Sequence, residues 1–130
     1  GVKVTLNNSE AATHYAAVNA GHFELARYGM IATINDPYDF LNAYASGGSA
    51  SQSTGYHNAE YDALVERSSS MLDVNARAQV LTEAQMLLLD DYALLPLYDY
   101  VNAALVAQNV SGWYATPMDV HPLRYISIEE

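Results

Sequence analysis

One basic residue, Arg27, sits inside the largely apolar run Phe23-Glu24-Leu25-Ala26-Arg27-Tyr28-Gly29-Met30-Ile31-Ala32. A guanidinium among apolar side chains needs a carboxylate partner or an edge in water. Two chemistries fit. One is a structural ion pair with one of the fifteen acids of the chain. The other is a bidentate clamp on a ligand carboxylate, which the planar fork of arginine suits. Gly29, two residues on, would let a ligand backbone approach closely. Residue chemistry alone leaves both readings open.

Other chemistry is harder to place. His14, His22, His57 and His121 are scattered, and none forms an H-E-x-x-H pair, so they read as surface or locally satisfied histidines and no metal site is expected. Gly48-Ser49-Ala50-Ser51 misses the G-x-S-x-G elbow of a serine nucleophile and lacks the Gly-Lys-Ser/Thr ending of a phosphate cradle. It reads as a solvated linker. Asp90 and Asp91 are adjacent and would point in different directions on a helix, so they read as a solvated helix end. No catalytic residue and no cofactor is expected, and the chain reads as a binding protein, not an enzyme. The eleven tyrosines suit half-buried surfaces and binding walls, with Tyr61, Tyr92 and Tyr98 in patterns that look like packing.

The bulk properties narrow the partners. With five Lys and Arg against fifteen Asp and Glu, the formal charge is −10, which disfavours nucleic acid and anionic membrane surfaces. At 130 residues and 51% hydrophobic content, one domain with a proper core is expected. The absence of cysteine excludes disulfides and thiolate chemistry but leaves the compartment open. No apolar run approaches the roughly 20 residues of a membrane-spanning helix, and Pro96 interrupts Ala93 to Tyr98, so no direct membrane insertion is expected. The chain opens at Gly1 directly into Val2-Lys3-Val4-Thr5-Leu6, an alternating strand pattern. Such a start reads as an engineered boundary, and the lack of a signal sequence says nothing about export.

The elements that must position Arg27 are legible as patterns. Val2 to Asn7 alternates as a half-buried strand does. Ser9 is placed to cap an Ala-rich helix from Glu10 to Ala20 that stops at Gly21. Phe23 to Ile34, with its β-branched and aromatic members, predicts a buried strand. Asp36-Pro37 then starts a short helix, with Asp as cap, Pro at the first position and Asp39 in the first turn. Ala45 to Gly55 reads as a polar loop. Asn58 caps a helix carrying Tyr61, Leu64, Val65 and Met71, and after a break at Leu72 to Asn75 a second helix carries Val80, Leu81, Ala84, Leu87 and Leu88. Ala93 to Tyr100 and Ala103 to Ala107 predict two strands joined at Val101-Asn102, and Arg124 to Ile128 a terminal strand. The order predicts an α/β or mixed fold with a layer of helices on a sheet.

Longer stretches carry a resemblance. Gly21 to Met30, Asn35-Asp36-Pro37-Tyr38-Asp39-Phe40-Leu41-Asn42 and Thr54 to Val65 resemble the extracytoplasmic oligopeptide-binding proteins of ABC transporters. So do Arg77, Ala84-Gln85, Leu95-Pro96-Leu97-Tyr98, Val101 to Val106, Val110-Ser111-Gly112-Trp113 and Arg124-Tyr125-Ile126. The resemblance covers essentially the whole chain. It implies part of one lobe of a type II periplasmic-binding-protein-like fold, the C-terminal lobe fragment of a two-lobed receptor, with residues 1–130 as a single domain. It further implies a peptide or peptide-like ligand captured between lobes, ABC permease subunits as partners, and a periplasmic or extracytoplasmic location, as a cell-surface lipoprotein where there is a single membrane. A relative specialised for a nickel chelate, haem or a sugar is an alternative, as is an interaction domain without a small ligand.

The same resemblance implies the site. The ligand would run beside the strand and bond to its backbone, making Arg27, Gly29, Met30, Ile31, Ala32 and Thr33 the ligand-binding residues, with Arg27 meeting a ligand carboxylate. Met30 stands where the family usually has tryptophan, and Thr33 where it usually has the aspartate that grips a free amino group. A neutral hydroxyl is a weaker partner for an ammonium than a carboxylate is. Asp36 and Asp39 are the nearby acids, and Asp36 is accounted for as a helix cap. The expected ligand therefore has a blocked or absent α-amine, or has its amine read from the other lobe.

Overall fold

Asp36 and Arg77, separated by 41 residues in sequence, meet side by side in the computed structural model, which describes residues 1–129. Their pairing ties together the packed part of the molecule. Helix α2 (Pro37–Asn42) starts as its sequence predicts: the Asp36 carboxylate accepts the Tyr38 N–H, and proline occupies the first turn. The same carboxylate accepts from Nη1 and Nη2 of Arg77, at 2.8 and 3.1 Å, while Arg77 Nε donates to Ser68 O. The guanidinium beside it, with the Tyr38 N–H, holds the Asp36 carboxyl below the usual carboxylate range.

Helix α4 (Ala59–Ser69) is capped by Asn58, and helix α5 (Val74–Asp90) by Asp73, each side chain accepting two backbone N–H groups. The two pack along their length, with α2 laid across both. Leu41, Tyr61, Val65, Leu81, Ala84 and Leu88 form the buried cluster between them. Tyr61 is fully enclosed and donates its hydroxyl to Leu41 O at 2.6 Å, so its one polar atom is satisfied inside the core. Burial is the first cause of the upward shift of its phenol pKa. Asp91, at the C-cap of α5, accepts from the Tyr56 hydroxyl and from Asn58 Nδ2, both at 2.8 Å. It is exposed, as expected of a solvated helix end, and also joins the start of α4 to the end of α5.

Helix α3 (Ser49–Thr54) occupies the expected loop. It has no apolar stripe to announce it. It closes on hydroxyl bonds back to its own carbonyls, Thr54 Oγ1 to Ala50 O at 2.7 Å, and on Gly55 at φ +73. Helix α1 (Ala11–Asn19) begins one residue later than predicted, and its cap is Glu10, whose Oε2 accepts from Ala12 and Thr13, not Ser9.

The strands are the main correction. The only ladder among the described residues pairs β1 (Val110–Ser111) with β2 (Ser127–Ile128), antiparallel, at the end of a 3-10 turn over Leu123–Tyr125. That turn takes the first part of the predicted terminal strand. Gly112, at φ +80, lets the hairpin close, since any Cβ there would collide with Tyr125 O. Val2 to Asn7, Phe23 to Ile34, Ala93 to Tyr100 and Ala103 to Ala107 form no strand. Phe23 to Ile34 is not buried either, with Leu25 and Ile31 82% and 92% exposed. Apolar and alternating residues prepare a run for a sheet, but a strand exists only when a neighbour completes its backbone hydrogen bonds, and among the described residues none of these runs makes such a ladder.

Candidate functional site

Contacts from three parts of the chain fix the segment from Arg27 to Thr33. From α1, His14 Nε2 bonds to Arg27 O at 2.8 Å, and Tyr15 meets Tyr28 edge to face at 5.8 Å between ring centres. From the segment after α5, Tyr98 and Tyr100 reach the Arg27 side chain. At the far end Asp39, in the first turn of α2, accepts the Thr33 N–H at 2.5 Å and the Thr33 hydroxyl at 3.1 Å. Between these pins the backbone groups of residues 28–32 have no hydrogen-bond partner among the described residues. Met30 and Ala32 are half-buried while Ile31 and Thr33 are exposed, the period-2 pattern of a strand with one covered face.

Arg27 does not find the carboxylate that an ion-pair reading requires. No acid among the described residues lies within salt-bridge distance of it, whereas Arg77 pairs with Asp36 and Arg67 with Glu83. Its Nη2 donates instead to the hydroxyls of Tyr98, at 3.0 Å, and Tyr100. The guanidinium carbon lies 5.7 Å from the Tyr100 ring centre, and the two tyrosine rings meet edge to face at 5.2 Å. Phenol oxygens orient a guanidinium without neutralising it, so the positive charge remains for an external anion.

Gly29 is less demanding than its sequence context implied. A Cβ there would lie 3.8 Å from Tyr100 Cε2, an ordinary contact. Tyr98 and Tyr92 are not packing residues, being 63% and 90% exposed. Tyr98, Tyr100, His14 and Asp39 were not assigned to the site from sequence. The i, i+2 spacing of Tyr98 and Tyr100 puts both on one side of an extended chain, a signal that was available but had no partner to point at.

A second polar constellation joins Ser46, His57 and Asp62. Ser46 Oγ lies 2.5 Å from both Asp62 Oδ2 and His57 Nδ1. The order is wrong for nucleophilic catalysis, in which the histidine stands between hydroxyl and acid. The single hydroxyl proton goes to the carboxylate, so His57 Nδ1 must donate to the serine and cannot act as its base. Beside this group an open recess of about 310 Å³ is lined by Tyr38, Asn42, Asp62, Val65, Glu66 and Ser69, among others. No three His, Asp or Glu among the described residues are placed to share a metal ion, and no helix is long and apolar enough to cross a membrane.

No family model matches the chain. Individual relatives do. It is 34% identical over 113 residues to the periplasmic oligopeptide-binding protein of Salmonella typhimurium, covering 87% of this chain and 21% of that protein. It is 32% identical over 114 residues to a probable deoxycholate-binding periplasmic protein of Escherichia coli, covering 87% and 21%. The fold is similar to an unliganded, open form of a periplasmic murein tripeptide-binding protein, with a TM-score of 0.80 and 29% identity over 98% of this chain and 25% of that one. The chain thus spans about a fifth of the length of the curated relatives it matches. Its relatives are periplasmic solute-binding proteins and its fold is periplasmic-binding-protein-like α/β, as the residue pattern and the resemblance together predicted.

Proposed function

We propose that this chain is part of the C-terminal lobe of a two-lobed extracytoplasmic receptor that captures peptides or peptide-like solutes and delivers them to an ABC permease. The observation that carries this reading is the segment from Arg27 to Thr33, pinned at both ends with open backbone groups between and an unneutralised guanidinium at one end. Such a segment can take up an extended ligand by main-chain hydrogen bonds, which give affinity independent of side-chain sequence. Its ligand-facing residues are Arg27, Gly29, Met30, Ile31, Ala32 and Thr33, and closure of the second lobe supplies the opposite wall. The runs 2–7, 23–34, 93–100 and 103–107 find their sheet neighbours in the remainder of the receptor.

Thr33 separates this receptor from one that grips a free α-amine with an acid. Asp39 is the nearest carboxylate, and both of its oxygens accept from Thr33. The favoured ligand therefore has a blocked or absent α-amine, or has it read by the other lobe. The full-length receptor is tested by calorimetric titration with N-acetylated and free-amine tri- to pentapeptides. N-acetylation is expected to leave binding intact; tight binding of free-amine peptides that N-acetylation abolishes would sink the idea. Arg27→Ala is expected to weaken ligands with a free carboxylate, and unchanged binding of every ligand would favour an interaction domain instead.

A non-peptide solute is the second reading, favoured by one relative whose name assigns it deoxycholate, itself a carboxylate. Mass spectrometry of what copurifies with the full-length protein separates the two.

A further inference from the structure

Helix α2 is held differently at its two ends. Its C-terminal end belongs to the core: Leu41 is buried against α4 and α5, and its carbonyl accepts the hydroxyl of the enclosed Tyr61. Its first turn is held by charge. Both Asp36 oxygens meet the guanidinium of Arg77 from α5. Arg77 is itself anchored, its Nε on Ser68 O at 3.0 Å and its guanidinium carbon 6.0 Å from the Tyr38 ring centre. A two-bond fork of this kind fixes direction as well as distance. The same first turn carries Asp39, whose carboxylate accepts the Thr33 N–H and hydroxyl.

Local chemistry allows Asp39 another use. A side-chain acceptor three residues after a helix cap can fold back onto the N–H of the capping residue. The Asp36 N–H is already donated to Ile34 O at 2.8 Å, and Arg77 balances the Asp36 charge, which leaves the Asp39 carboxylate for Thr33. At the other end of the segment, His14 on Arg27 O belongs to α1, and α1 packs on α3 and not on α2, α4 or α5.

We infer that Arg77 and Asp39 are positioning residues for ligand capture. Arg77 sets the first turn of α2 through Asp36, and Asp39, carried on that turn, fixes the Thr33 end of the segment that meets the ligand. The inference rests on the proposed ligand-lining role of residues 27–33 and names what places them. The physical gain is preorganisation: a backbone row that is already fixed loses less freedom when a ligand bonds to it.

The test uses the full-length receptor, with N-acetylated tri- to pentapeptides as probes. Affinity is read by calorimetric titration well below the unfolding midpoint of each variant, and that midpoint is measured in parallel. Asp39→Ala and Arg77→Gln are each expected to weaken binding about threefold to tenfold, the worth of ordering the freed segment again on binding. The double variant is expected to bind as Asp39→Ala alone does, because Arg77 acts through Asp39. Asp36→Asn, which keeps a cap and loses the charged fork, stands in for Arg77→Gln where that variant fails to fold. Without ligand, the Thr33 amide is expected to exchange its hydrogen faster in Arg77→Gln, as in Asp39→Ala. Arg67→Gln removes the exposed pair with Glu83 between the same two helices and is expected to leave affinity unchanged.

A lowered midpoint with unchanged affinity in Arg77→Gln assigns Arg77 to stability alone and overturns the inference. So do losses that add in the double variant, or a Thr33 amide that Arg77→Gln does not move. An equal loss in Arg67→Gln reduces the effect to overall charge and likewise overturns it. If the wild type binds no probe, the peptide reading fails and the inference falls with it, whereas binding that survives both Arg77→Gln and Asp39→Ala sinks the inference alone.

Discussion

The helices α2, α4 and α5 and the extended runs around them are built from similarly apolar sequence but end in opposite states. In the helical part, Tyr61, Val65, Ala84 and Leu88 are almost wholly removed from water. In the runs, Leu6, Ile31, Val101 and Leu105 stand almost wholly in it. A helix satisfies its backbone internally and needs only a neighbour for its stripe, which α2, α4 and α5 provide for one another. An extended run needs a neighbour for its backbone as well as its faces. The candidate site lies in the second kind of structure. A backbone still open to partners can bond a ligand, so the region that is least complete is the one best equipped to bind.

That contrast can be broken by substitution. Leu88→Ala is expected to cost about 2–5 kcal/mol of stability, because it opens a cavity among fully buried neighbours. Chemical denaturation followed by circular dichroism checks it, and a loss below about 1 kcal/mol would mean that the helical cluster is not a true core. Asp36→Ala removes the cap of α2 and the partner of Arg77 together, with the cap alone worth about 1 kcal/mol.

The same carboxylate gives a pH test. Its folded pKa lies below the unfolded value, so its stabilisation is complete above the unfolded pKa of about 4 and is lost as pH falls through the lower folded value. Asp36→Asn is expected to flatten the acid limb of the stability profile, and an unchanged limb would show that the pair with Arg77 is unimportant in solution.

Smaller effects sharpen the contrast. Tyr61→Phe deletes one buried hydrogen bond while Leu41 O keeps the Tyr44 N–H, for an expected loss of about 1 kcal/mol. Ile31→Ala in the 130-residue chain is expected to change stability by no more than about 0.5 kcal/mol, since the side chain is exposed. The same change in the full-length receptor is expected to weaken ligand binding. Equal effects in both settings would erase the distinction between a self-sufficient helical part and a dependent extended part.

Much of the helical part was legible. Asp36-Pro37, Asn58 and the stripe of Val80, Leu81, Ala84 and Leu88 carried their own signals, because caps and helical period are local. Helix α3 was not legible, since the Ser53 and Thr54 hydroxyls bond back to carbonyls within the helix and leave no apolar trace. The cap of α1 was misplaced by one residue because Ser9 and Glu10 are both competent acceptors, and only the backbone path chooses between them.

The site divides along the same line. By itself the sequence determined that a lone cation stands in an apolar run with β-branched and aromatic members. It could not determine the partners of Arg27, because Tyr98 and Tyr100 lie 71 and 73 residues away and nothing local links them. Nor could it decide between ion pair and ligand clamp. The tertiary structure decided against the ion pair by bringing phenol oxygens, not carboxylates, to the guanidinium, and it turned Asp39 onto Thr33. Local backbone chemistry is written in neighbouring residues, whereas compensation of a charge depends on what the fold carries to it across space.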